Sequence, residues 1–272
     1  MSRLLHISDL HLGPPFDPKV GDAIIRLAEQ TEIDALVVSG DLTQRAKRAQ
    51  FAAARQFLDR LPAVPRLVVP GNHDVPLYRV AERLTDPLGL YREYINPETN
   101  TSLILDDAII VGLDSTSPLR TIVNGRIHKD QLEFCRQRFD NAPPGLARIV
   151  VAHHHFAPAP DYRRDMVMPK ATRAMECFVD LGVEVIMGGH LHRAYVGNSL
   201  DFFPRNKRDR GIIIVQCGTS TSRRGIGRER EKNTLNILDI RANEIDVEHY
   251  IHDERLGEFT TLSRHIFPRH PH

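Results

Sequence analysis

Five short apolar runs each stop at side chains able to bind a cation. Residues 4–8 lead into Asp9 and His11, and Ala35–Ser39 leads into Gly40-Asp41. Arg66–Val69 leads into Gly71-Asn72-His73-Asp74, and Arg148–Ala152 into His153-His154-His155. Val183–Met187 leads into Gly189-His190-Leu191-His192. Runs of this length, bounded by turn residues, read as buried strands. Helical spacing lies between them. Asp17-Pro18 supplies an N-cap and a first-turn proline, and Ala23, Ile24, Leu27 and Ala28 recur on one face. Ala46–Arg60 repeats the pattern with Phe51, Ala54, Phe57 and Leu58, followed by Leu61. Lys129–Phe139 and residues 170–181 read as two more helices. Strands alternating with helices predict an α/β sheet with helical crossovers.

Thr101–Leu105 and Ala108–Leu113 flank Asp106-Asp107 and predict a hairpin. Residues 75–100, 115–128 and 156–169 read as connecting segments, the expected walls of a pocket. After residue 193 the pattern changes. Gly211–Cys217, Asn233–Ile240 and Glu244–Ile251 read as strands with few helices between them. No linker or repeat divides the chain, so one domain over 1–272 is expected. In it residues 193–252 add strands, and 264–272 form a loose tail.

The totals narrow the class. Hydrophobic residues make up 41% and charged residues 26% of the 272, ordinary for a soluble globular chain. A net charge of +1 argues against a general polyanion or nucleic-acid binder. Cys135, Cys177 and Cys217 are odd in number and widely spaced, which suggests neither a disulfide framework nor a Cys-based zinc site and fits a reducing cytoplasm. No apolar run approaches the ~20 residues a membrane helix needs. Oligomeric state is left open, a homo-oligomer being compatible.

The ligand types decide the chemistry. Asp9 and His11 are alternate residues leaving a strand and can reach one ion. Taken singly, Asp-x-His is common, Gly-Asp is ordinarily a turn, and Gly-Asn-His-Asp can be a turn with a satisfied histidine. Together, and in this order, they predict strand ends converging on two ions, with Asp41 between them. Mixed imidazole and carboxylate ligands suit manganese, iron or zinc better than calcium or magnesium. Two such ions clamp a phosphoryl group and lower the pKa of a water held between them.

The set of Asp9-Leu10-His11, Gly40-Asp41, Gly71-Asn72-His73-Asp74, His153 and Gly189-His190-Leu191-His192 resembles the calcineurin-like metallophosphoesterase superfamily. The resemblance implies a four-layer α/β/β/α sandwich of two mixed sheets. It implies Asp9, His11 and His192 on one ion, Asn72, His153 and His190 on the other, and Asp41 bridging. A hydroxide bridging the ions would attack phosphorus in line with the leaving oxygen. His73 would face the substrate phosphate and stabilise or protonate that oxygen, and Asp74 would orient His73. The superfamily often carries His-His-Pro-Pro where this chain has His153-His154-His155-Phe156. His154 or His155 can therefore replace His153 as ligand; alternatively His154 and His155 line the substrate pocket, or are exposed polar residues.

The opening Leu-His-Ile-Ser-Asp-Leu-His-Leu and the chain length look most like bacterial class III cyclic-nucleotide phosphodiesterases. That points to a small phosphodiester substrate, with a 3′,5′-cyclic nucleotide as candidate. A phosphomonoesterase, a sugar-nucleotide pyrophosphatase or a nuclease can use the same ligands, and the intact set argues against a non-enzymatic scaffold. Residues 205–232 carry nine Lys/Arg against three Asp/Glu. Two readings stand for them: a solvated loop whose charges partly pair with Asp209, Glu229 and Glu231, or a loop in which Arg223 or Arg224 folds back to bind a second phosphate of the substrate.

Overall fold

A computed structural model describes residues 1–119, 123–159, 167–203, 211–224 and 232–269. The N-terminal half begins as anticipated: β1 (Ser2–Ile7), α1 (Pro18–Gln30), β2 (Ala35–Val38), α2 (Arg48–Arg60) and β3 (Arg66–Val68). Asp17 caps α1, accepting from Lys19 N at 3.0 Å, and Pro18 opens the first turn. Two short helices follow, α3 (Val80–Thr85) and α4 (Gly89–Tyr94). The hairpin is β4 (Thr101–Ile104) with β5 (Ala108–Leu113). Next come α5 (Lys129–Asp140), β6 (Ala147–Ala152), α6 (Ala171–Asp180) and β7 (Val185–Gly188). The remainder is β8 (Tyr195–Asn198), β9 (Ile213–Gln216), β10 (Thr234–Ile240), β11 (Glu244–Asp253) and β12 (Glu258–Pro268).

The strands form two mixed six-stranded sheets. One runs β12-β11-β10-β1-β2-β3, with β1, β2 and β3 parallel and β10 antiparallel to β1. The other runs β4-β5-β6-β7-β9-β8, with β5, β6, β7 and β9 parallel. Leu4, Val37, Leu67, Ile149, Val151, Met187, Val215 and Leu238 fill one core cluster drawn from both sheets. Alternation then sends Leu5, Ile7, Leu36 and Val38 to the opposite face, where they pack on Ile24, Phe51 and Phe57 of α1 and α2. On the second sheet Val150 and Ile186 pack on Phe139 and Phe178 of α5 and α6. The result is the expected α/β/β/α sandwich, and the parallel strand ends of both sheets carry the polar motifs.

One expectation fails at the C-terminal end. Residues 264–268 are not a loose tail. They complete the eleven-residue β12, and Arg269 is buried with its guanidinium on Glu184 at 2.9 and 3.0 Å. Strand β8 falls within residues 193–252, which are expected to add strands, although the sequence does not single out its bounds. Six of the nine Lys/Arg of residues 205–232, namely Arg205, Lys207, Arg208, Arg210, Arg228 and Arg230, lie outside the described residues.

Candidate metal centre

The ligand-type residues lie just past the strand ends, and five of them sit on left-handed backbone. Asp9, His11, Asp41, His190 and His192 all have positive φ, between 49° and 71°. This left-handed conformation is uncommon outside glycine and costs roughly 1–3 kcal/mol where held by its surroundings. Neighbouring glycines let the segments approach. A Cβ on Gly71 would sit 2.3 Å from Asp41 Oδ1, and one on Gly189 would sit 2.4 Å from Asp9 Oδ2.

Two groups of side chains meet across Asp41. In the first, His192 Nε2 lies 3.1 Å from Asp9 Oδ1 and 3.2 Å from His11 Nε2. His11 Nε2 lies 3.7 Å from both Asp9 Oδ1 and Asp41 Oδ2. In the second, Asn72 Oδ1 lies 3.1 Å from His153 Nε2 and 3.0 Å from His190 Nδ1. His153 Nε2 also lies 3.4 Å from Asp41 Oδ1. Asp41 thus turns one oxygen to each group.

Surrounding polar groups orient the ligands. Ser8 Oγ and His190 N donate to Asp9 Oδ2, at 2.7 and 3.0 Å, which leaves Oδ1 facing the histidines. His153 Nδ1 donates to Ser39 O at 2.8 Å, and His192 Nδ1 to Arg224 O at 3.2 Å. Each of those contacts fixes a tautomer that turns Nε2 inward.

The residues fit divalent ions. Asp9 Oδ1 and Asp41 Oδ2 are buried carboxylate oxygens without a hydrogen-bond partner. Such atoms are costly unless a cation compensates them. Ligand atoms ~2.1 Å from an ion stand about 3.0–3.4 Å from one another, and the contacts above cluster there. Electrostatics agree. Burial opposes ionisation of Asp9 and Asp41, yet the imidazoles around them hold both carboxyls below the ordinary range. Burial also opposes protonation of His153, but Asp41 pushes it up to about 9. The pair of carboxylates therefore favours positive charge nearby, which a divalent ion held by these residues would supply in place of that proton.

His154 departs from expectation. It is 1% exposed, so it does not line an open pocket. Its Nδ1 lies 2.8 Å from Ser115 Oγ, its Nε2 is buried without a hydrogen-bond partner, and its ring is 4.7 Å from that of His190. With His153 and His190 it forms a trio within metal-ligand range, so it borders the second group.

His73 is half-buried beside the first group, its ring 4.8 Å from that of His11. Asp74 does not orient it. The Asp74 oxygens accept from Leu42 N, Thr43 N, Thr43 Oγ1 and Gly71 N, pinning the turns around Asp41 and Asn72. Burial and the neighbouring Asp41 push the Asp74 carboxyl up to about 7. The residue that orients His73 is Gln44, whose carbonyl accepts from His73 Nδ1 at 2.9 Å. Arg224 Nη1 then donates to His73 Nε2 at 2.9 Å and to Gln44 Oε1 at 3.2 Å. Arg223 points elsewhere. It is largely exposed and pairs with Asp17 at 2.8 Å, away from the two groups. Ser8, Ser39 and Gln44 were missed from sequence, being common residue types with no distinguishing spacing.

Residues 2–194 match the family described as Calcineurin-like phosphoesterase. The chain is 28% identical over 214 residues to a probable cyclic nucleotide phosphodiesterase of Synechococcus sp., covering 74% of this chain and 77% of that protein. It is 27% identical over 209 residues to another of Xenorhabdus bovienii, covering 70% and 78%. In fold it is similar to a purple acid phosphatase from yellow lupin (Lupinus luteus) seeds, with a TM-score of 0.72 at 14% identity. That alignment spans 98% of this chain but only 54% of the lupin protein. Among the described residues no helix is long and apolar enough to cross a membrane.

Proposed function

The chain belongs to the calcineurin-like phosphoesterase family and is a metal-dependent phosphoric ester hydrolase, and we propose that it cleaves a phosphodiester at a two-metal centre, with a 3′,5′-cyclic nucleotide as candidate substrate. The observation that carries the two-metal reading is the division of the Asp41 oxygens, Oδ2 towards His11 and Oδ1 towards His153. Asp9, His11 and His192 would hold one ion, and Asn72, His153 and His190 the other. Bound divalent ions supply Lewis acidity towards phosphoryl oxygens and lower the pKa of water to near neutrality. Manganese, iron and zinc all suit this mixed donor set.

The chain's own groups do the remaining work. Arg224 offers a fixed positive charge whose guanidinium pairs well with phosphate oxygens. His73 is the proton-exchanging group for the leaving oxygen. Its Nδ1 is committed to Gln44 O, so Nε2 is the atom that takes and gives the proton once a bound phosphate draws the Arg224 guanidinium off it. Burial lowers the His73 pKa, and an anionic phosphate arriving beside the ring raises it again. Asp74 acts at one remove, holding the backbone of Leu42, Thr43 and Gly71 so that Asp41 and Asn72 keep their positions.

The preference for a diester follows from the relatives described as probable cyclic nucleotide phosphodiesterases. The test compares bis(p-nitrophenyl) phosphate with p-nitrophenyl phosphate on Mn²⁺-reloaded protein, followed by 3′,5′-cyclic AMP. Faster turnover of the diester supports the reading. A preference for the monoester moves the assignment to a phosphatase.

A further inference from the structure

A cavity of about 320 Å³ lies apart from the candidate metal ligands, between the starts of α5 and α6. Arg126, Lys129, Lys170 and Arg173 line it, with His128 beside them and Asp130 as the one carboxylate among its described lining residues. Leu132 and Ala174, both buried, form its apolar side. Among the described lining residues, four positive charges thus face one space against a single negative charge. None of the four is in an ion pair among the described residues, and Arg126 Nε is buried without a hydrogen-bond partner. Gathering like charges in this way costs free energy, and an unsatisfied buried guanidinium N–H adds to it. An anion in the cavity removes both penalties.

The walls are tied to the metal centre. Arg126 N donates to Ser115 O at 2.8 Å, and Ser115 Oγ lies 2.8 Å from His154 Nδ1. Met168 N donates to His155 O at 3.3 Å, two residues before Lys170. The cavity sits at the small end of the usual range for ligand pockets, which suits a phosphate group better than a whole dinucleotide. Lys129 and Lys170 stand at the N-terminal ends of α5 and α6, where helix dipoles add to the positive potential.

We propose that this cavity binds a phosphate-bearing anion at a site separate from the metal centre. The test is equilibrium dialysis of metal-loaded protein against radiolabelled inorganic phosphate. Wild type is expected to bind one more phosphate per chain than Lys170→Gln/Arg173→Gln. Losing a single charge-assisted contact weakens binding by about tenfold or more, so the double variant leaves the cavity empty at concentrations that fill wild type. Lys170→Arg/Arg173→Lys is expected to restore the extra phosphate, which separates charge recognition from a packing defect. Without phosphate, diester turnover by the Gln variant should stay within about twofold of wild type, since neither residue touches the metal centre. Equal binding by wild type and the Gln variant overturns the proposal. So does a Gln-variant loss that the Arg/Lys exchange fails to restore. Both results are independent of which ester the metal centre cleaves.

Discussion

Replacing Arg224 by alanine should impair substrate capture, and replacing its neighbour Arg223 should not. Arg224 is half-buried, with Nη1 2.9 Å from His73 Nε2 and its charge in the field of Asp41 and Asp9. Its backbone carbonyl, the acceptor for His192 Nδ1, survives the substitution, so the ligand geometry should persist. A charge-assisted hydrogen bond to phosphate contributes about 1.5–3 kcal/mol, which is about 10- to 150-fold in kcat/KM. Partial exposure favours the lower part of that range, near tenfold, carried mainly by KM because the contact forms with bound substrate as well as with the transition state. Arg223 is 71% exposed and its pair with Asp17 is screened by solvent, so Arg223→Ala should change either constant by less than about twofold. The assay is steady-state hydrolysis of bis(p-nitrophenyl) phosphate by both variants, with metal content measured in each. An Arg224→Ala enzyme with normal KM, or an Arg223→Ala enzyme equally impaired, refutes the assignment.

Two further predictions probe the scaffold. In Gly71→Ala the new methyl would lie 2.3 Å from Asp41 Oδ1 and 2.4 Å from Asp41 N, so backbone must shift. Such overpacking costs typically about 1–3 kcal/mol, and the variant should lose both thermal stability and metal content; unchanged metal content would count against the close approach. Acid should destabilise the fold through His6 and His249, which burial holds at about 3 and about 4. Both are fully or nearly fully buried, and Asn236 links them, its Nδ2 3.0 Å from His6 Nδ1 and its Oδ1 bonded to His249 Nδ1. The unfolded chain takes up protons at these rings near pH 6.5 that the folded chain refuses. Stability is therefore full above about pH 6.5 and declines as pH falls towards the folded values, by roughly 1–2 kcal/mol per pH unit for each ring. Urea unfolding of metal-stripped protein at pH 7.5 and 4.5 measures the decline, and His6→Asn should flatten it. An equal slope in the variant would show that His6 is not refusing a proton.

Much of this site was legible because its residues follow short apolar strands directly. At such ends spacing maps onto geometry, so Asp9 with His11, Asp41, Asn72, His153, and His190 with His192 came together as expected. Adjacency misled where the chain turns. Asp74 follows His73, but in the 3₁₀ turn Asn72–Asp74 the two side chains diverge, one to Thr43 and the other to Gln44. Arg223 and Arg224 likewise point apart, one to Asp17 and one to His73. The edge strand β12 was missed because its outward residues are polar and it has little apolar alternation. Its eleven residues are held by pairing with β11 and by Arg264 on Asp246. Gln44, Ser8 and Ser39 carry no signal in one dimension, since their roles depend on carbonyls and hydroxyls brought close by the fold.

The central claim is that Asp41 joins two metal ions, and it is tested most directly by manganese loading with electron paramagnetic resonance. Wild-type protein, stripped and reloaded, should bind two Mn²⁺ per chain and give an exchange-coupled spectrum. Asp41→Asn should lose the coupling together with diester turnover. A single uncoupled Mn²⁺ in wild type, or a coupled pair that persists in Asp41→Asn, would contradict the account.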